Sequence, residues 1–283
     1  MDTTQIGLIG DLHGNTGWAK FVIKALASMG ITTALQVGDF GLYRDKRGAE
    51  FQDVVSGIAR KFGMTIYVVP GNHENWDYIN ETIGDATDWV NFRTNILVAP
   101  RVHRWEWNGV SFASLSGAPS VDRQWRVQAD AFDLREGRTR VDNRFYETEV
   151  YTVEDVAKIA EGGYADVMVG HDAPHGIRRI ESAIQGNPFG FASADLAYAE
   201  QSRQLYTQAF EAVAPRSLFH GHYHVAVDEH IARPGAEGET THIIGLNCDT
   251  DNYSFGVFDT ATQTATLIDD AELLKKHRNG TLI

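Results

Sequence analysis

Asp11 and His13, then Asp39, Asn72 with His73, His171, and finally His222 and His224 all lie at or just after a short apolar run of the chain. Carboxylate, amide and imidazole donors in that mixture suit divalent cations that accept both oxygen and nitrogen ligands. Gathered on one rim, they are enough for two five- or six-coordinate ions that share a bridging carboxylate and a water. Such a set needs no cysteine.

The runs that would carry these residues alternate between strand and helix. Ile6 to Ile9 reads as a strand ending at Gly10-Asp11, and Trp18 to Met29 repeats apolar residues at helical spacing up to Gly30. Ala34 to Val37 ends at Gly38-Asp39, Phe51 to Phe62 is helical, and the strand Thr65 to Val69 ends at Pro70-Gly71-Asn72-His73. In an open α/β sheet, ligands bind at the carboxyl ends of the strands, so these endings are expected on one rim. Beyond Ile96 short strands dominate: Val102 to Trp107 and Val110 to Leu115 flank the hairpin signal Asn108-Gly109, which predicts a second, more antiparallel sheet. Thr152 to Glu161 reads as a helix with Thr152 and Asp155 at its start, and Ala165 to Val169 as a strand ending at Gly170-His171-Asp172. Ser193, read as an N-cap, opens a helix to Val213, followed by a strand at Ser217 to Phe219, a meander to Ile268 and a helix from Asp270 to His277. Gly117 to Glu149, rich in Asp, Arg and Glu, reads as a long loop or insertion, and Gly186 to Ala192 as a flexible stretch.

At 283 residues, 43% hydrophobic and 22% charged, the chain has the composition of a globular protein, expected as one domain over 1–283. Its net charge of −13 disfavours long nucleic acid. A single cysteine, Cys248, excludes an internal disulfide and a thiolate zinc cage. The first residues, Met1 to Ile6, carry no basic region, and no window approaches the ~20 apolar residues of a membrane span. A cytoplasmic protein with no membrane partner is the expectation.

Taken singly, each candidate has a plainer role. An Asp after a strand commonly caps a helix, Asn beside Gly forms turns, and a lone His is usually satisfied by backbone. Joint occurrence at successive strand ends outweighs those readings. His103, His230, His242 and His277 have no companion donors; His175 and His220 are candidates to orient a ligand and stay outside the ligand set. Trp105, Trp107 and Phe112 alternate as core residues, Trp18, Trp76 and Trp125 are assigned to core or cleft wall, and Asp249 to Asp251 to a solvated turn.

The motifs GDLHGN (10–15), GD (38–39), GNHE (71–74), GHDAP (170–174) and GHYH (221–224) stand in the order found in the calcineurin-like metallophosphoesterase superfamily, which the chain resembles over nearly its whole length. That resemblance implies a four-layer α-β-β-α sandwich with two mixed β sheets and a di-metal site at the strand C-terminal ends. It implies one metal on Asp11, His13 and His224, another on Asn72, His171 and His222, and Asp39 bridging them, with a hydroxide shared by two divalent ions attacking phosphorus. Manganese is the first choice, with iron, zinc, nickel or cobalt as alternatives. His73 would contact the scissile phosphate and, as an imidazole of ordinary pKa near 6.5, hold a proton for the leaving oxygen.

The segment after Gly38-Asp39 lacks the Asp-Arg-Gly of the superfamily's phosphoprotein phosphatases, which argues against protein phosphatase activity. Ser116 to Arg126 instead resembles a segment of bacterial and phage members; Arg123 or Arg126 is expected to contact substrate, and Asn15 to donate its amide to a phosphate oxygen. The expected substrate is a small phosphomonoester or phosphodiester, a cyclic nucleotide among the candidates, with segment 117–149 shaping the pocket. The rivals are a nuclease for short or cyclic nucleotides and a metal-binding interaction module without turnover. His73→Ala is expected to cut turnover while both metals stay bound; unchanged turnover of an ester with a poor alkoxide leaving group removes His73 from the mechanism.

Overall fold

The computed structural model describes residues 3–282, so Met1, Asp2 and Ile283, the ends of the expected domain, lie outside the described residues. In the first third, parallel strands alternate with helices: β1 (Gln5–Ile9), α1 (Thr16–Ser28), β2 (Thr33–Gln36), α2 (Lys46–Lys61), β3 (Thr65–Val68), α3 (Trp76–Ile83), then the short β4 (Val90–Arg93) and β5 (Ile96–Val98). The hairpin β6 (Val102–Trp107) and β7 (Val110–Leu115) turns at Asn108 and Gly109, both at positive φ, as a two-residue primed turn requires. There follow α4 (Arg123–Arg135), α5 (Val153–Glu161), β8 (Val167–Gly170), α6 (Arg178–Ile184), α7 (Ser193–Val213), β9 (Ser217–His220), β10 (Val227–Ala232), β11 (Thr240–Gly245), β12 (Phe255–Asp259), β13 (Thr264–Leu267) and α8 (Ala271–Arg278).

The strands form two mixed sheets, ordered β13-β12-β1-β2-β3-β5-β4 and β10-β11-β9-β8-β7-β6. Their centres are parallel and their margins antiparallel. Central strands are buried on both faces, which is why they read as unbroken apolar runs and not as alternation. Leu8, Leu35 and Val37 of the first sheet meet Phe112, Val169, Phe219 and Ile244 of the second in one buried layer. Ile9, Ala34 and Ile66 point the other way, under α1 and α2, while Met168 and Leu218 lie under α5 and α7. Helix, sheet, sheet, helix is the expected four-layer sandwich.

Several boundaries differ from the sequence reading. Segment 117–149 is not simply a loop, since α4 occupies its middle. The buried residues of α4 are Arg126 and Asp133, so a search for apolar periodicity cannot see the helix. Ser193 is the first residue of α7 and not its cap; Ala192 holds that place without a side-chain bond. Helix α2 begins at Lys46, capped by Asp45, before the apolar stretch at Phe51. Thr152 and Asp155 do form a reciprocal capping box. Helices α3 and α6 and strand β4 had no assignment from sequence, all being short.

Because β1, β2 and β3 run parallel, as do β8 and β9, their carboxyl ends emerge together. Gln36 ties two of these endings, those of β1 and β2: its amide donates to the carbonyls of Gly10 and Gly38 and accepts from the Gly38 N–H. The sheets close on each other at this rim through Gly71, where any Cβ would overlap Asp39 and the His171 ring, so only glycine fits.

Candidate metal centre

Four of the seven expected ligands, His13, Asp39, His222 and His224, sit at positive φ without being glycine. That conformation costs of order 1 kcal/mol or more per residue and persists where surrounding structure demands it, typically at functional sites. The turns after the strands aim their side chains at one point. Asp11 and Asp39 are each 1% exposed. Asp39 Oδ2 lies 3.2 Å from His171 Nε2 and 3.5 Å from His13 Nε2, and Asp11 Oδ2 lies 3.2 Å from His224 Nε2. Potential ligand atoms of Asp11, His13 and His224 fall within 4.8 Å of one another, and so do those of Asp11, Asp39 and His171. Asp11 is common to both groups, while Asp39 reaches one imidazole of each expected metal set.

The remaining expected ligands complete the bowl. His222 donates its backbone N–H to Asp11 Oδ2 at 3.1 Å and lays its ring 5.1 Å from that of His171. Asn72 donates through Nδ2 to Ser120 Oγ at 3.0 Å, which leaves Oδ1 buried with no hydrogen-bond partner. His171 is held through Nδ1, 2.8 Å from the Val37 carbonyl, and its Nε2 likewise has no hydrogen bond. Buried polar atoms are rarely left so. A carbonyl-type oxygen and an imidazole lone pair beside two buried carboxylates fit a divalent cation's needs.

Charge shapes the protonation of these groups. Burial opposes the imidazolium of His13, yet hydrogen bonds to Asp249 and Asp39 and the charges of Asp39 and Asp11 raise its pKa to about 11. A hydrogen bond to Asp11 and one to Cys248 lift His224 to about 10. Burial pulls His171 down, but Asp39 and Asp11 prevail and bring it to about 9. His222, buried and repelled by His171, falls to about 3. Burial works against the charge of Asp39 too, and the facing His171 holds its pKa well below the usual range.

Three networks behind the rim were not foreseen. Glu74, in the GNHE motif, is buried and accepts the backbone N–H groups of Phe40, Gly41 and Leu42 at 2.7, 3.1 and 2.6 Å, locking the turn after Asp39 to the turn after Asn72. Ser120 passes its own N–H and hydroxyl to Glu149 at 2.6 and 2.8 Å, so the two ends of segment 117–149 close behind Asn72. Asp249 is no solvated turn residue: its carboxylate is 2.9 Å from His13 Nδ1 and 2.7 Å from Asn15 Nδ2. The partners in the last two networks are 29 or more residues apart, beyond any local spacing pattern.

His73 and Arg126 meet on the wall of a cavity of about 500 Å³ that also includes His13, Asn72 and Trp125. Arg126 donates from Nη2 to His73 Nε2 at 2.6 Å and is anchored by Asp122 at 2.6 Å and the Arg144 carbonyl at 3.0 Å. Burial pushes His73 down to about 4, with Asp39 resisting and Arg126 adding repulsion. The lowered pKa runs against the expected store of a proton at neutral pH, and the Nε2 atom is engaged by Arg126.

Arg123 is not at this wall; its guanidinium lies 4.5 Å over the Tyr198 ring. Asn15 is not on it either, since its Oδ1 caps α1 at the Trp18 N–H and its amide serves Asp249. Trp18 and Trp76 are core, whereas Trp125 is 62% exposed at the cavity. His175 bonds Thr207 and Glu200, and His220 its neighbour Gly221, so neither orients a candidate ligand.

The calcineurin-like phosphoesterase family matches residues 4–226, and the chain belongs to it. Its members are metal-dependent hydrolases of phosphate esters, and the Asp and His groups above can hold such metals. Among solved structures, the TT1561 protein of Thermus thermophilus is similar with TM-score 0.52 at 10% identity, over 95% of this chain and 99% of that one. A dimetal phosphatase from Danio rerio is similar with TM-score 0.50 at 13% identity, over 91% and 92%. At such identities the likeness speaks for the fold. No curated protein matches the sequence, and no helix among the described residues is long and apolar enough to cross a membrane.

Two outcomes test the networks. Arg126→Ala is expected to raise KM by about tenfold, the loss of one charge-assisted contact of about 1.5 kcal/mol, while Arg123→Ala stays near wild type; steady-state kinetics on one ester decide. Burial also raises the pKa of Glu149 to about 8 despite its bonds from Ser120. A carboxyl whose folded pKa is raised contributes stability that is complete below the unfolded value, about 4.5, and lost as pH climbs through 8. Glu149→Gln should therefore flatten the fall in unfolding free energy between pH 5 and 8, measured by denaturant titration, a difference on the order of a few kcal/mol.

Proposed function

We propose that the chain hydrolyses a small phosphomonoester or phosphodiester using two divalent cations, manganese first among them. Asp11, His13 and His224 would hold one, Asn72, His171 and His222 the other, with Asp39 between. The observation that carries this reading is that Asn72 Oδ1 is buried without a hydrogen-bond partner while His171 Nε2 lies 3.2 Å from Asp39 Oδ2, at a rim where both Asp11 and Asp39 are buried. Cations bound there would supply positive charge for a phosphate oxygen and a water acidic enough to be a nucleophile near neutral pH.

The chain's own groups do the rest. Val37 accepts from His171 Nδ1 and so keeps Nε2 toward the site. Arg126 meets the phosphate as a fixed cation at the cavity wall. His73 takes up its proton only as the substrate's negative charge enters and raises its pKa, and then gives it to the leaving oxygen. The cavity has the volume of an ordinary small-molecule site. We read the chain as one cytoplasmic domain in which segment 117–149 shapes that cavity.

A metal-binding module without turnover is the rival from another class, and a nuclease the rival among enzymes. The protein is stripped with chelator, reloaded with each divalent ion and assayed on phosphomonoesters, linear diesters and cyclic nucleotides. Turnover of at least one small ester, restored best by manganese, is expected. Protein that reloads two ions yet turns over no ester is a binding module; preference for oligonucleotides with steep salt dependence favours the nuclease.

A further inference from the structure

The loop between β11 and β12 crosses the rim from the second sheet to the first, and it lies outside residues 4–226, the part of the chain that the family matches. It is closed on itself, Asn247 N–H to the Tyr253 carbonyl at 3.1 Å, and anchored to the first motif by the Gly10 N–H on the Ser254 carbonyl at 2.8 Å. Trp18 Nε1 adds a bond to Ser254 Oγ at 3.0 Å. From this frame Asp249 uses one oxygen on His13 Nδ1 and the other on Asn15 Nδ2. Asn15 is itself fixed as the cap of α1.

A ring held at Nδ1 can turn only Nε2 elsewhere, and His13 Nε2 faces Asp39. We propose that Asp249 is a positioning residue for His13, fixing through Nδ1 the rotation of the ring and the nitrogen it offers to a cation shared with Asp11 and His224. Carboxylates behind ligating imidazoles act this way in metal sites generally, and removing one typically costs about 10–100-fold in metal affinity.

The proposal rests on the metal reading above, and the test separates the two. Metal-free protein is titrated with Mn(II), free ion being followed by electron paramagnetic resonance, and its melting temperature is measured without metal. Wild type is expected to take two ions. In Asp249→Ala one of them should bind roughly 10–100-fold more weakly and the other unchanged. Asp249→Asn, which keeps an acceptor for His13, should bind more tightly than the alanine variant, and all three proteins should melt alike. Two ions with wild-type affinity in Asp249→Ala overturn the positioning role alone. Weakening of both ions with a lowered melting temperature also overturns it, making Asp249 a loop anchor, and an asparagine variant as weak as alanine replaces positioning by charge. A wild-type protein that takes up neither manganese nor, in parallel titrations, iron, zinc, nickel or cobalt overturns the metal reading and this one with it.

Discussion

Two carboxylates buried side by side are the constraint around which the molecule is arranged. Asp11 and Asp39 have almost no contact with water, and an ionised carboxylate removed from water is tolerated only with opposing charge and hydrogen bonds. The rim supplies both: imidazoles of His13, His171 and His224 face them, and backbone N–H groups of His73 and His222 donate to them. None of these donors is near both Asp residues in sequence. Only a fold that ends parallel strands from two sheets at one edge can bring them together.

The same constraint explains the local strain. To face the carboxylates, the turns after β1, β2 and β9 put His13, Asp39, His222 and His224 into a left-handed backbone conformation. Glycine packing at Gly71, the Gln36 amide and the carboxyl of Glu74 hold the turns after β1 and β2 in place. Rigidity at the rim comes from these short polar ties, and the apolar layers beneath supply the platform.

Strand ends, sheet number and donor residues were legible because each depends on local sequence: an apolar run, a glycine and a polar residue in immediate succession. The four-layer arrangement came through resemblance and matches the two mixed sheets observed. What a local reading cannot show depends on distance or on charge in place of hydrophobicity. Helix α4 turns Arg126 and Asp133 inward, which no apolar pattern reveals. Asp249 is acidic among acidic neighbours and reads as solvent-facing until the fold sets it beside His13 and Asn15. Arg123 and Arg126 differ by less than one helical turn, and only the structure tells the one stacked on Tyr198 from the one on His73.

Segment 117–149 combines two duties that modular enzymes usually keep apart. It walls the cavity with Trp125 and Arg126, and through Ser120 and Glu149 it also braces Asn72. Exchange of this segment would remake the cavity wall and remove the brace behind Asn72 in the same stroke. The lining of the cavity is thus tied to the bracing of Asn72, and drift in one must be accompanied by drift in the other.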